Sequence, residues 1–318
     1  MPSTAELAKR VRAGDQAAVG RALSLVVNES KGFEELTKSF FPCAGRAHKI
    51  GLSGPPGSGK SSLVNRLVPH YRKLGEKVGV LAVDPTSPFT GGAFLGDRLR
   101  VQEHALDQGV FFRSLGSRGM TGGLSATIFG AIHVLEAYGC GRILIETVGT
   151  GQDEVEISRV ADSVVYVTAP SLGDEIQGMK AGAMEAADIF VVNKADLPGA
   201  DKAVASLKTA LDLGAKPKGD WAVRVLAASA SLNQGIAELA QTLEEHRAYL
   251  ASSTEGAKRK KTQLREELSL FITRRLRKDT LDRISDADIE ELRSGRADPV
   301  TLGERLIAGF LKAARSRA

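Results

Sequence analysis

Residues 50–61 read I-G-L-S-G-P-P-G-S-G-K-S: an apolar run, Ile50-Gly51-Leu52, leads straight into Gly54-Pro55-Pro56-Gly57-Ser58-Gly59-Lys60-Ser61. This is the pattern G-x-x-x-x-G-K-[ST] in the setting that gives it a mechanism, with a short buried strand before it and a helix, Ser61 to about His70, after it. Gly54, Gly57 and Gly59 let the backbone bend tightly enough for successive N–H groups to point inward at phosphate oxygens. Lys60 brings a flexible point charge to the β- and γ-phosphates, and the Ser61 hydroxyl is placed to ligand Mg²⁺. Pro55, Pro56, Ser58 and Ser62 complete the loop and the first turn of a helix whose positive end faces the same anion. A chance glycine-rich turn would not bring strand, loop and helix into register. The reading is a nucleoside triphosphate site on an α/β fold.

Outward from this stretch, short apolar runs recur at Ile50–Leu52, Val78–Val83, Val110–Phe112, Arg142–Val148, Ser163–Ala169, Asp188–Val192 and Ala222–Ala227. They lack polar alternation, as expected of strands buried on both faces of a mostly parallel sheet. Amphipathic segments between them give a doubly wound architecture. Before the sheet, residues 4–41 carry helical spacing, with Asp15 as an N-cap and Ala18, Val19, Ala22, Leu23 and Val26 on one stripe that must pack on the main domain. Residues 251–261, A-S-S-T-E-G-A-K-R-K-K, read as a polar basic link, a solvated linker or helix face rather than a nucleic-acid contact. Helical patterns follow at 262–278, 285–294 and 299–315, with Ser285 and Asp298 as N-caps and Pro299 at a first helical position. The expected division is a helical N-terminal extension (1–46), a nucleotide-binding domain (47–248) and a helical C-terminal arm (249–318). An arm with so few long apolar stripes is more easily stable against a partner subunit than alone.

Composition narrows the partners. The chain has 318 residues, 42% of them hydrophobic and 25% charged, with a net charge of +5 and a pI near 9.2. That suits an anionic ligand but is too weak a bias to argue for nucleic acid. Cys43 and Cys140 stand far apart, outside any C-x-x-C pairing, and read as reduced thiols. The first residues lack a charged-then-apolar leader pattern and no apolar run approaches bilayer length, so the expectation is a cytoplasmic protein without membrane contact, with residence in a mitochondrial-type matrix after processing as the alternative.

The base is read at Val191-Val192-Asn193-Lys194-Ala195-Asp196, which closes a buried strand with N-K-x-D about 130 residues after the phosphate loop. The Asp196 carboxylate can accept from both N1–H and N2–H of guanine, whereas adenine presents a mismatched edge whose burial would leave polar groups unpaired. Ser229-Ala230-Ser231, after the next apolar run, is placed to back the base with its main chain. Three acids are candidates for metal and water. Asp84 and Glu146 follow strand runs at carboxyl ends, where ligands gather in such sheets. Asp97 lies in the glycine-rich segment 90–98. Mg²⁺ keeps several waters and takes few carboxylates, so Ser61 is the expected direct ligand. Asp84, Asp97 and Glu146 share direct, outer-shell and water-positioning roles in an order left open. Gly149, in E-T-V-G, is placed to sense the γ-phosphate. The following loop, 150–154, would be ordered by GTP and released after hydrolysis. No glutamine directly follows Gly149, the nearest being Gln152, and no arginine is committed in cis, although Arg98 and Arg118 are nearby. Slow intrinsic hydrolysis, accelerated by a partner, is the expectation.

Together, G-P-P-G-S-G-K-S (54–61), V-D-P-T-S-P-F-T-G-G-A-F-L-G-D-R (83–98), E-T-V-G-T-G-Q-D-E (146–154) and V-V-N-K-A-D (191–196) closely resemble the MeaB/ArgK-like P-loop GTPases, which include the methylmalonic aciduria type A protein. The resemblance covers nearly the whole chain. It implies the signal-recognition-particle/MinD-like class of P-loop GTPase, a homodimer formed through the C-terminal helices, and a client that is an adenosylcobalamin-dependent acyl-CoA mutase. It further implies that GTP gates cobalamin loading and protects the mutase. Gln152 and Asp153 fall in a switch loop. Segment 171–180, with Asp174 and Lys180 as its charged members, corresponds to the mobile loop that signals to the mutase. Thr86 and Thr150 stand where many members carry Ser and Val. No D-x-H-x-x-G occurs, so any cobalamin is held by the partner. Two other functions compete. A kinase of the arginine/ornithine transport-system type would need an acceptor pocket with a base. A nickel-type metallochaperone GTPase usually advertises a His-rich tract, and five scattered histidines do not supply one.

Overall fold

The structure, a computed structural model, describes residues 3–84, 107–116, 127–147, 156–170, 181–214 and 219–315. Two compact units divide it, Met1–Gln263 and Leu264–Ala318.

In the larger unit seven parallel strands form one sheet: β1 (His48–Ser53), β2 (Lys77–Asp84), β3 (Val110–Gly116), β4 (Cys140–Thr147), β5 (Ser163–Thr168), β6 (Ile189–Val192) and β7 (Arg224–Ala227). Their order is β3-β2-β4-β1-β5-β6-β7, every pair parallel. Each strand contains or overlaps one of the seven apolar runs. β1, β5 and β6 are buried along their whole length, which is why their sequences are continuous rather than alternating. β1 stands between β4 and β5, so the phosphate loop at its carboxyl end opens at the centre of the sheet, where Leu52 is level with Glu146 of β4.

Helix α4 (Lys60–Lys73) lays Leu63, Val64, Leu67, Val68 and Tyr71 on the sheet, beside Ile236, Leu239, Ala240 and Leu243 of α8 (Ile236–Ser252). Further along the sheet, Ala203, Leu207 and Leu211 of α7 (Ala200–Gly214) pack with Tyr166, Phe190 and Val192. A short α6 (Ala181–Ala186) precedes β6.

The N-terminal residues form α1 (Thr4–Arg12), α2 (Gln16–Val27) and α3 (Phe33–Phe40). Asp15 caps α2 by accepting from the Ala18 N–H at 3.0 Å, and the stripe from Ala18 to Val26 is buried. All three helices pack against α5 (Thr127–Tyr138), which also packs on β4. Covered from several sides, α5 is buried at all of its positions, including Glu136. That carboxylate accepts from the Gly45 and Ala47 N–H groups (2.8 and 3.2 Å) and so fixes the entry into β1.

At 251–261 the structure has a helix rather than a linker, and the wholly solvated face expected there is corrected. α8 ends at Ser252 and α9 (Thr254–Leu281) begins at once, with Ser253 Oγ accepting from the Gly256 N–H at its start. The basic run lies in the first turns of α9, and two side chains there reach inward. Arg259 forms a bidentate pair with Asp188 (2.8 and 2.9 Å), and Gln263 donates to Ala161 O (2.9 Å). Burial opposes the charge on Arg259, but the hydrogen bonds and charge of Asp188 outweigh it and hold the guanidinium protonated.

The smaller unit holds the rest of α9, α10 (Asp286–Arg293) and α11 (Pro299–Arg315). Ser285 and Asp288 form a capping box, and Asp298 accepts from Val300 N and Thr301 N. Arg305 binds Asp288 and Glu291, while Leu302 is buried. Leu264, Leu268, Phe271, Ile272 and Leu276 remain exposed on α9.

Candidate functional site

Gly54, Gly57 and Gly59 all take positive φ (130°, 77° and 91°), which gives the loop after β1 its bend. At Gly59 the space is also closed: a Cβ there would lie 2.2 Å from Asn193 Nδ2. Gly59 is the N-cap of α4 and offers no side chain to the first N–H groups, so these are left for an anion. Lys60 is buried and its Nζ donates to the carbonyls of Gly54 (2.7 Å) and Pro55 (2.9 Å), which pins the ammonium against the loop. Ser58 Oγ is buried with no hydrogen-bond partner within the described residues.

Ser61 Oγ donates to Glu146 Oε1 in a short hydrogen bond. The helix hydroxyl and the buried β4 carboxylate are thereby side by side, two hard oxygen donors of the type Mg²⁺ takes. No group of three or more His, Cys, Asp or Glu placed to hold a metal ion occurs among the described residues. Asp84 is the last residue of β2, level with Gly116 of β3. A cleft is lined by Pro56, Gly57, Gly59, Lys60, Ser61, Ser62, Glu146, Thr147 and Lys194, among others.

A second cleft continues from it, sharing Gly59, Ser62 and Lys194 and adding Asn65, Arg66, Asn193, Asp196, Ala230 and Ser231. Lys194 has φ +58°, an uncommon conformation for a residue with a side chain, and turns the chain between the two clefts. Asn193 is fully buried and acts as a clamp. Its Nδ2 donates to Ser58 O (2.9 Å) and its Oδ1 accepts from Ala230 N (3.2 Å), tying the phosphate loop to the 229–231 segment.

Asp196 is exposed at the mouth of this second cleft. Ser229 Oγ donates to Asp196 Oδ1 in a short bond, and Ser231 Oγ lies 3.4 Å from the same oxygen. The Ser229 hydroxyl, then the backbone N–H of Asp196 itself, hold the carboxyl below its ordinary range. The sequence suggested only main-chain backing from this segment, whereas the structure adds the hydroxyls. Arg66 was missed altogether. One further turn along α4 from the loop, its Nε donates to Ala230 O (2.7 Å) and holds the 229–231 segment in place. The only signal in the sequence was its position on the helix that opens with Lys60.

The structure thus brings together residues 54–62, Glu146, Asn193, Lys194, Asp196, Ser229 and Ala230. Asp97, Gly149, Gln152, Asp153, Asp174 and Lys180 lie outside the described residues, as do Thr86 and Thr150, and of Asp84 only the backbone is described.

Comparison with known proteins follows the same lines. Residues 19–285 match the family described as methylmalonyl Co-A mutase-associated GTPase MeaB. The chain is 47% identical to a putative GTPase of Pyrococcus horikoshii over 84% of this chain and 85% of that protein. It is 37% identical to the mitochondrial methylmalonic aciduria type A homolog of Mus musculus over 68% of this chain and 52% of that protein. The crystal structure of a LAO/AO transport system kinase superposes with a TM-score of 0.69 at 25% identity, covering 97% of each chain.

Proposed function

This chain belongs to the MeaB family and is a GTPase, and from that premise we propose that it binds GTP with Mg²⁺, hydrolyses it slowly alone, and serves as chaperone to an adenosylcobalamin-dependent acyl-CoA mutase. The observation that carries the nucleotide assignment is the continuity of the two clefts through Gly59, Ser62 and Lys194. One end presents uncapped N–H groups and an ammonium, and the other a carboxylate that the Ser229 hydroxyl and its own backbone N–H hold below its ordinary range. A nucleotide spans them with its phosphates at Lys60 and its guanine at Asp196.

In this reading the backbone of 54–59, with Lys60, Ser61 and Ser62, cradles the phosphates and excludes water from them. Ser61 ligands the Mg²⁺, whose chemistry is neutralisation of the charge that develops between the β- and γ-phosphates. Glu146, already on the Ser61 hydroxyl, shares with Asp84 and Asp97 the remaining metal and water-positioning duties. Gly149, Gln152 and Asp153 form the segment that responds to the γ-phosphate. Asp174 and Lys180 carry the response to the mutase. Cobalamin stays with the partner throughout. Support for the mutase as partner is the wording of the family description and the name of the mouse relative.

The domain division follows function: 1–46 braces the sheet through α5, 47–248 holds the nucleotide, and 249–318 makes a homodimer. Support for the dimer is the apolar row Leu264, Leu268, Phe271, Ile272 and Leu276, exposed at helical spacing on α9. A cytoplasmic location is supported by two buried free cysteines. No helix among the described residues is long and apolar enough to cross a membrane.

Steady-state GTP hydrolysis, measured alone and with a panel of such mutases, tests the proposal. One mutase is expected to raise kcat, and Lys180→Ala is expected to keep GTP affinity while losing that stimulation. No response to any mutase would sink the chaperone role and leave the GTPase. The structural relative, a LAO/AO transport system kinase, carries a second reading, phosphate transfer. Radiolabelled γ-phosphate appearing on an amino-acid acceptor instead of as inorganic phosphate would favour it.

The base assignment has its own test. Asp196→Asn exchanges an acceptor-only carboxylate for an amide that offers guanine N1–H one acceptor and a misplaced donor. GDP affinity is expected to fall 10²-fold or more, while xanthosine diphosphate, which presents a carbonyl at C2, gains. Competition titration with both nucleotides decides it, and equal GDP affinity in the two proteins would move the base elsewhere.

A further inference from the structure

The larger unit has a third cavity at the opposite end of the sheet, of about 240 Å³, where β1 and β5 begin. β1 is six residues long, so it lies roughly 20 Å from the phosphate loop and no nucleotide bound there reaches it. We propose that this cavity is a second anion site, built for the phosphoryl group of a small molecule.

The charge inventory carries the argument. Five cationic side chains line the cavity, Arg46, Lys49, Arg247, Arg259 and Lys260, against Asp162 as the single acid in the lining. Two of the cations are spoken for. Lys49 Nζ lies 2.9 Å from Asp162 Oδ1, and Arg259 is paired with Asp188. Asp162 has nothing left to offer the others. It also accepts from Lys49 N and from Gln263 Nε2. Burial alone would raise its pKa, but Lys49's charge and N–H reverse this, so it stays ionised and committed.

Arg247 has Glu244 at 3.6 Å, an exposed i,i+3 contact of small worth, and Glu244 is held more closely by Arg142 at 2.7 Å. Arg46 and Lys260 make no ion pair among the described residues. Three solvent-exposed cations, Arg46, Arg247 and Lys260, therefore line one concavity with only the loose Glu244 contact set against them. Like charges gathered in this way repel, and they are stabilised by a multivalent anion.

The backbone is shaped for it. Gly45 takes φ +81°, and a Cβ there would lie 2.5 Å from Lys260 Nζ, so the missing side chain is the space the ammonium occupies. Glu136 fixes that turn through the Gly45 and Ala47 N–H groups, and Arg259 fixes the facing turn of α9. Arg46 and Lys260 thus stand on two braced elements and Arg247 on the neighbouring α8, and forked Arg heads beside a Lys favour phosphate oxygens over a single carboxylate. The volume of about 240 Å³ admits a compact anion such as a diphosphate.

Isothermal titration of inorganic pyrophosphate into the full chain, saturated with GDP so that the phosphate loop is occupied, tests the proposal. One site per chain is expected, with Kd below about 100 μM at physiological salt. The double variant Arg247→Glu/Lys260→Glu is expected to weaken pyrophosphate at least 10-fold and to leave GDP affinity unchanged, which also reports that it is folded. No binding by the natural chain, or equal binding by the variant, overturns the site. Tighter binding of citrate than of pyrophosphate overturns the phosphoryl assignment.

Discussion

Replacing Lys60 with methionine is expected to lower single-turnover GTP hydrolysis by about 10²–10³-fold, the loss found when one preorganised charge donor is taken from a transition state. The side chain is buried and its ammonium is held by two carbonyls of the same loop, Gly54 O and Pro55 O. This preorganisation makes the effect large. The charge is fixed at the loop before phosphate arrives, so little reorganisation accompanies the reaction. Methionine keeps most of the stem's packing and removes the charge alone, which separates catalysis from folding. GDP affinity is expected to fall less than the rate, because charge on the transferring group grows in the transition state. Thermal unfolding of the variant provides the control. Hydrolysis within threefold of the natural protein would take Lys60 out of the catalytic account.

How much of this was readable beforehand depended on how local each cause was. The inner strands announced themselves because a parallel strand covered on both faces must be a continuous apolar run, as β1, β5 and β6 show, while the edge strands β3 and β7 are only partly covered and were legible from their short apolar runs. The phosphate loop and N-K-x-D were readable for the same reason: the chemistry needs those residue types within a few positions. What failed was long-range. The run A-K-R-K-K looked like a solvated link because composition carries no trace of Asp188, which lies 71 residues away and turns Arg259 into a buried cation. Nothing around Glu136 told that its carboxylate would hold N–H groups 89 and 91 residues earlier. Arg66 and the Ser229 hydroxyl shape the base cleft by bonds spanning 164 and 33 residues, and no local pattern encodes either. Residue types that can bind a nucleotide were visible in the chain, but the groups that hold them in position were not.

Arg259→Ala is expected to cost a large share of the stability of the larger unit. The Arg259 guanidinium meets a side chain that is only 1% exposed, Asp188, whose Oδ2 also accepts from Val164 N at 2.8 Å. Arg259→Ala would take from that buried carboxylate its arginine partner, leaving it the Val164 N–H and His246, whose Nε2 lies 3.8 Å from Oδ1, and breaking a buried pair from one side costs about 3–5 kcal/mol. The pair itself need not be strongly stabilising, since both ions were desolvated to form it. The double variant Arg259→Ala/Asp188→Asn therefore decides between the two ideas. Asparagine is uncharged and can still accept from Val164 N, so the double variant is expected to be more stable than Arg259→Ala alone, a non-additivity that measures the stranded charge. Arg259→Lys is expected to recover only part, because an ammonium cannot reproduce the two-pronged contact. Urea denaturation followed by tryptophan fluorescence is well suited, because the chain has one tryptophan, Trp221, and its Nε1 donates to Asp188 O at 3.0 Å. The reporter is thus bonded to the residue under test. A loss below about 1 kcal/mol for Arg259→Ala would mean that water reaches Asp188, and the first turns of α9 would then be held to the sheet by Gln263 and packing rather than by this ion pair.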